Sequence, residues 1–368
     1  MGKRPSIKIG VLGCAIAGLS AGIAAARAGH QVTIFGPVPK TLSGALQLAP
    51  NGFSALHRLG MMADVAPHLT RLSAIELRSA STMSCLAVID HDNPHHRDYA
   101  SIGRDDLHKA LLHHAQADKR IQFCGDEVSH LAPKADETYV VAGGARYDFD
   151  MLIGADGKSG IARQSFQKQT DPPVMRQALR AQMVAAALPQ TFRTKRTQLW
   201  LGDGYHLVSY PFAGGDFVNL VLCTSYDVTG IDVIKTHPIL SCLASDDIAW
   251  HHTPLPEASQ LATWRKYQLI LIGDAAHFMP PHLAQGAGQT LEDAASLYEA
   301  LCQDAPLSSI LRDWALMRAR TLAPIIEKAE ETGAVMRLKG PFARLRNMAI
   351  ALGGQRLVER WLRQVWQE

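Results

Sequence analysis

The sequence lacks several things that would each have named a class of protein. Six cysteines occur in 368 residues, at Cys14, Cys85, Cys124, Cys223, Cys242 and Cys302. None forms a C-x-x-C pair, so no disulfide framework is indicated, and the scatter reads as reduced thiols of a cytoplasmic protein. No apolar run is long enough to cross a bilayer, so no integral membrane segment is expected. An excess of one charge is missing too. The formal net charge is +3, the basic residues are dispersed, and no nucleic-acid motif is present, which leaves no case for a nucleic-acid partner. There is no internal repeat and no low-complexity tract. The adjacent pairs His95-His96, His113-His114 and His251-His252 lack the carboxylate–histidine spacing of a zinc site, so no metal is expected.

What is present fits a globular chain with room for two cores, 47% hydrophobic and 19% charged. The first residues, Met-Gly-Lys-Arg-Pro and then apolar, look superficially like a signal peptide. Ile7–Ala28 carries Gly10, Gly13, Gly18 and Gly22, however, and reads as strand, turn and helix. The loop Gly13-Cys14-Ala15-Ile16-Ala17-Gly18 is a G-x-A-x-x-G version of the dinucleotide-binding fingerprint, with Gln31–Phe35 as the second strand of a βαβ unit. Leu269–Ala295 is the most informative stretch. An apolar strand ends at Gly273-Asp274, which places a carboxylate where open α/β sheets bind ligands. Gly286-Ala287-Gly288 then opens a helix and leaves backbone N–H groups uncovered, a place for negative charge. A carboxylate for polyol hydroxyls and a helix start for an electron-rich ring suit a flavin. A third apolar strand, Met151–Gly154, ends in Ala155-Asp156-Gly157, and Arg104 stands in Gly103-Arg104-Asp105-Asp106.

Taken in order, these segments resemble the group A flavoprotein aromatic hydroxylases, the family of para-hydroxybenzoate and salicylate hydroxylases. The resemblance runs from Ile7 to about Ala323. It implies an α/β fold: a Rossmann-like FAD-binding domain with an inserted, mainly antiparallel β-sheet substrate domain and C-terminal helices. The FAD-binding domain is expected at 1–75, 98–175 and 265–330, the substrate domain at 76–97 and 176–264, and a helical segment at 331–368. The resemblance implies that Gly13, Ala15 and Gly18 take the pyrophosphate and that Arg104 lies near the phosphates and ribityl chain. It assigns Gly273-Asp274 to the ribitol, Gly286, Ala287 and Gly288 to the isoalloxazine, and Asp156-Gly157 to both FAD and the nicotinamide cofactor. Ser43–Asn51 resembles the family's GAGIQLxPN loop, which brings in Gln47, with Lys40 where an arginine is common. Two departures weaken the adenosine end. Ala15 adds a methyl at a glycine position, and Gly36 replaces the usual acid. Losing a charged acceptor removes about 1.5–3 kcal/mol, so FAD is expected to be held less tightly than usual.

The implied activity is an FAD-dependent monooxygenase that uses NAD(P)H and O2 to hydroxylate a small phenolic or N-heteroaromatic substrate through a C4a-hydroperoxyflavin. Such chemistry needs a base for a ring hydroxyl. In His206-Leu207-Val208-Ser209-Tyr210-Pro211, which resembles the family's HxxxYP strand, a period of two puts His206 and Tyr210 on one face. His206 has the unperturbed pKa of a base, and His282 is the second candidate; Tyr99 is a further candidate wall residue. The alternatives are a satisfied sheet histidine and a core aromatic. Other readings of the whole chain are a non-aromatic monooxygenase or reductase on the same fold, and a flavin-binding protein with weakened or lost catalysis. A homodimer is compatible with the sequence. The arginine-rich tail Phe342–Glu368 reads as a cover helix with a solvated basic face; a membrane-surface helix is the alternative.

Overall fold

A computed structural model describes residues 5–91, 98–134, 137–166, 176–224, 230–255, 259–363 and 365–366. The segment His91–Arg97, whose polar sequence reads as a turn, lies outside the described residues from 92 on, and with it the pair His95-His96.

The fold is α/β, with a Rossmann-like sheet, a mainly antiparallel sheet and C-terminal helices. Six strands form the first sheet in the order Arg265–Lys266, Leu269–Leu271, Met151–Gly154, Lys8–Leu12, Gln31–Phe35, Ile121–Cys124. All neighbours run parallel except the edge pair Arg265–Lys266 with Leu269–Leu271. Met151–Gly154 and Leu269–Leu271 are buried throughout, which is why they read as unbroken apolar runs. This order sets the ends of three strands side by side, so Gly13, Asp156 and Asp274 converge although far apart in sequence. Gly13 has φ +106 and donates to the Phe35 carbonyl at 2.9 Å. A Cβ on Gly18 would sit 1.8 Å from the Gly13 carbonyl oxygen, so only glycine lets the helix Ile16–Arg27 spring directly from the loop.

The second sheet has seven strands in the order His251–Leu255, Arg176–Val184, Phe217–Thr224, Tyr205–Phe212, Arg196–Leu201, Ala74–Ser79, Cys85–Asp90. Its pairs are antiparallel except Ala74–Ser79 with Arg196–Leu201. One face packs Trp200, Leu207, Leu220 and Leu222 beneath the short helices Gly230–Ile234 and Leu240–Ala244. The strands' alternate residues therefore point the other way, toward the first sheet. Two of the expected divisions fall inside elements. The cut at 75/76 lies within Ala74–Ser79. The cut at 330/331 lies within the helix Leu307–Met336, which nothing interrupts there.

No helix among the described residues is long and apolar enough to cross a membrane. In the last helix, Gly340–Arg363, Arg344, Arg356, Arg360 and Arg363 are exposed as a solvated basic face requires, but apolar residues share that surface and Arg346 does not. Phe342, Leu345, Met348 and Leu352 are exposed on it, while Arg346 turns inward and donates to the carbonyls of Met336 at 2.7 Å and Gly202 at 2.9 Å. Buried carbonyls at the end of one helix and in a tight turn draw the guanidinium in.

Candidate active site

A cavity of about 1250 Å³ runs from the first sheet to the second. That is larger than most single-ligand pockets, ~300–1,000 Å³. Gly13, Ala15, Gln47, Arg104, Asp156, Gly157, Asp274, Gly286, Ala287, His206 and Tyr210 all line it. Six residues expected at the site, Tyr99 among them, do not. Lys40 is exposed outside it. Gly18 lies beneath the loop that it supports. Gly273 donates its N–H to Asp293 at 2.9 Å, and Gly288 packs toward the Asn51 amide. His282 stands behind the cavity wall.

The cavity fits a dinucleotide with a flavin ring. Two long helices, Ile16–Arg27 and Gly286–Leu301, begin on it, and neither has a side-chain cap on its first N–H groups. Those orphan donors favour negative charge. A Cβ on Gly286 would meet nothing within 4 Å, so the helix start is open. Between the two helices lies a charged middle. The Asp274 carboxylate is reached from the cavity, yet the protein around it raises its pKa, with His277, Arg104, Lys158 and Arg163 pulling it back. Burial, then Arg180, lowers the pKa of Arg104. Arg104 is not the surface ion pair that its acidic neighbours suggest, because Asp105 pairs with Lys109 at 2.6 Å. Asp156 folds back to accept from the Ala162 N–H at 2.9 Å, and burial raises its pKa. At the adenosine end Gly36 has φ +106. The usual acid could not adopt that backbone cheaply, and Glu127 is one of the carboxylates that line the cavity.

The second sheet supplies the opposite wall as a grid. Gln182, Asn219 and Tyr210 form one row, Arg180, Val221 and Val208 the next, and Ala178, Cys223 and His206 the third. Tyr210 donates to the Ala45 carbonyl at 2.8 Å, and burial pushes its pKa up to about 12 against the pull of Arg180 and Arg104. Asn219 accepts from the Ala45 N–H at 3.2 Å, while its Nδ2 is buried without a partner. Nδ1 of His206 is buried without a partner as well.

Three expectations need correction. His206 is on the wall, but burial first, then Arg337 and Arg346, push its pKa down to about 3. A ring that resists protonation this strongly is a poor base for a phenol near pH 7. His282 does not line the cavity. It packs edge-on behind His206, with ring centroids 5.2 Å apart, and accepts from Arg337 Nη1 at 3.0 Å. Tyr99 does not line the cavity either. Its hydroxyl donates to Gln47 Oε1 and its ring stacks on His91, so it braces Gln47 from behind. His282 rests directly on Gly333, where an added Cβ would stand 2.3 Å from its ring. Gly333→Ala is therefore expected to displace His282 and cost about 1–3 kcal/mol. An unchanged melting temperature in that variant would contradict the contact.

Sequence reasoning missed Arg180, Asn219 and Cys223. The available signal was a lone arginine between buried Leu179 and Ala181 in a strand, a charge on the face opposite a core. It also missed Asp293, fully buried, which accepts from His277 Nε2 at 2.7 Å and Arg318 Nε at 2.8 Å. His277 thus holds the Gly273-Asp274 turn and does not face the cavity.

Comparisons with known proteins agree with this geometry. The family model described as "FAD binding domain" matches residues 242–305, which include Asp274 and the start of Gly286–Leu301. A 3-hydroxybenzoate 6-hydroxylase of Klebsiella oxytoca is 27% identical, covering 92% of this chain and 91% of its own. A 3-amino-4-hydroxybenzoate 2-monooxygenase of Streptomyces platensis is also 27% identical, covering 95% and 93%. The solved structure of a Klebsiella pneumoniae HpxO variant complexed with FAD shares the fold, with TM-score 0.85, 98% of each chain covered and 18% identity. Fold and site together define a flavin-dependent oxidoreductase. The family-model match covers part of the chain, the relatives similar to it over most of its length are aromatic hydroxylases, and FAD is its cofactor.

Proposed function

We propose that the protein uses NAD(P)H and O2 to hydroxylate a small phenolic or N-heteroaromatic ring that carries an anionic substituent. The observation that carries this reading is the grid. It sets Arg180, Asn219, Tyr210 and His206 on one wall, across from the helix start at Gly286. Reduced FAD, once bound, supplies the activated oxygen from O2. The chain must hold the ring, favour its electron-rich form and exclude water. Gly13, Ala15, Arg104, Asp274, Gly286 and Ala287 are the residues we assign to FAD. Arg180 forms no ion pair among the described residues and is assigned to the substrate's anionic group. The hydroxybenzoate named in each of the two relatives is such an anion. Two neighbouring cations, Arg104 and Arg180, also lower the pKa of a phenol bound beside them. Ionisation of the substrate then needs no strong protein base, and neutral His206 serves as a hydrogen-bond partner.

The test is NAD(P)H oxidation by the FAD-loaded protein across a panel of aromatic acids, with product analysis. Aromatic-stimulated oxidation that yields a hydroxylated ring supports the reading; absence of hydroxylated product throughout the panel sinks it. Arg180→Leu should raise KM for the acid about 10–100-fold, the value of a charge-assisted hydrogen bond, and leave FAD affinity unchanged. An unaltered KM removes Arg180 from the substrate site.

A further inference from the structure

One corner of the wall holds a cluster for which hydroxylation has no evident use. Cys223 and His206 are direct partners on adjacent strands, and His282 stacks edge-on behind His206. One ligand atom from each of His206, Cys223 and His282 lies within 4.8 Å of the other two, and all three residues are buried. We propose that this corner is a site for a thiophilic divalent cation, Zn²⁺ or Cd²⁺, bound by two imidazoles and a thiolate with a fourth position open to the cavity.

The donor set is right for such an ion. Three nitrogen and sulfur ligands with one open position is the arrangement of catalytic and inhibitory zinc sites, with bonds of about 2.0–2.3 Å. Side-chain shifts of about 1 Å bring the three donors to those lengths. His206 and Cys223 line the cavity, so an ion has a way in. Nδ1 of His206 has no hydrogen-bond partner to give up. Binding converts the Cys223 thiol to a metal thiolate and releases one proton to solvent. Charge opposes the ion. Arg337 donates to His282 Nε2 at 3.0 Å, and Arg337 and Arg346 both act on His206. The thiolate offsets one of those charges, which places the affinity in the micromolar range and not lower. An ion there occupies the cavity beside Val208 and Val221 and displaces an aromatic ring. This last consequence rests on the proposed function, whereas the site itself does not.

The experiment titrates the FAD-loaded protein with Cd²⁺ and follows the ultraviolet thiolate-to-cadmium charge-transfer band, with Zn²⁺ measured by calorimetry. One equivalent with micromolar affinity is expected. Cys223→Ser should abolish the band and weaken binding at least about tenfold, and flavin fluorescence and melting temperature establish that this variant is folded. Arg337→Gln should tighten binding severalfold, because a positive charge beside the ion is removed; this readout holds even if the cysteine variant fails to fold. A band that survives in Cys223→Ser belongs to other thiols, such as exposed Cys85 or Cys302, and overturns the proposal, as does no binding at all. Binding lost in Cys223→Ser together with hydroxylation that metal leaves unaffected upholds the site and counts against the substrate position proposed above.

Discussion

Asp293→Asn destabilises the protein by about 3–5 kcal/mol, the usual cost of removing one partner from a buried ion pair. The carboxylate is fully buried and accepts from His277, Arg318 and the Gly273 N–H at 2.7, 2.8 and 2.9 Å. An amide keeps the shape but leaves the Arg318 guanidinium buried without its counter-charge. The damage reaches the cofactor, because Gly273 fixes the turn that presents Asp274. The chemical-denaturation midpoint and FAD affinity should therefore fall together. A midpoint within about 0.5 kcal/mol of the parent, the range of a surface change, would show that the network contributes nothing. The acid dependence follows from the pKa. Burial raises that of Asp293, but His277, Arg318 and the hydrogen bonds outweigh it, and the net shift is downward. Its contribution is thus fully present above the unfolded carboxylate value near 3.9 and lost only as pH falls through the lower folded value. Variant and parent should converge only in strong acid.

His206 also costs stability in acid, but at milder pH. Its folded pKa is pushed down to about 3 from an ordinary 6.5. Below pH 6.5 the unfolded chain takes up a proton that the folded chain refuses, so stability falls as pH falls. By pH 5 the loss from this one group is about 2 kcal/mol relative to pH 7.5. His206→Gln removes a titrating group while keeping a hydrogen-bonding side chain. The drop in melting temperature between pH 7.5 and 5 should be smaller in the variant than in the parent. Equal drops would mean that the ring is protonated in place. The same substitution separates two roles in turnover. A hydrogen-bond partner replaced by an amide leaves the position of the pH–rate profile unchanged, whereas loss of a general base shifts it.

Much of the fold was legible because its elements state their own ends. Gln31–Phe35 and Phe217–Thr224 stand where their apolar runs place them, and Gly273-Asp274 marks a strand end that any α/β sheet would use. The cofactor half of the site was legible for the same reason: its residues follow strands, and parallel order brings strand ends together. The aromatic wall was less so. His206 and Tyr210 share a strand and could be paired by period two, but Arg180 and Asn219 join them only through the register of neighbouring strands, which no local pattern carries. Position against a neighbour also misled. His282 is three residues before the Gln285 that begins the helix turn, and only the packing of Leu307–Met336 against it, at Gly333, puts it behind the wall. The depressed pKa of His206 comes first from burial and then from arginines more than 100 residues away, and neither leaves a trace in its own strand.

The cross-strand register turns the aromatic wall into a lattice with fixed addresses. Neighbouring sites lie about 4.8 Å apart across the strands and about 6.8 Å apart along them, twice the rise per residue. A charge or hydroxyl can be moved by one address without altering a backbone hydrogen bond. Exchanging Arg180 with Gln182 shifts the cation one step along its strand; placing it at Val221 shifts it one step across. The position of the ring in front of the oxidant would follow in steps of known size. Each step is about the width of an aromatic ring, so on the proposed reading such an exchange should change which acid the wall accepts, with no change of backbone shape.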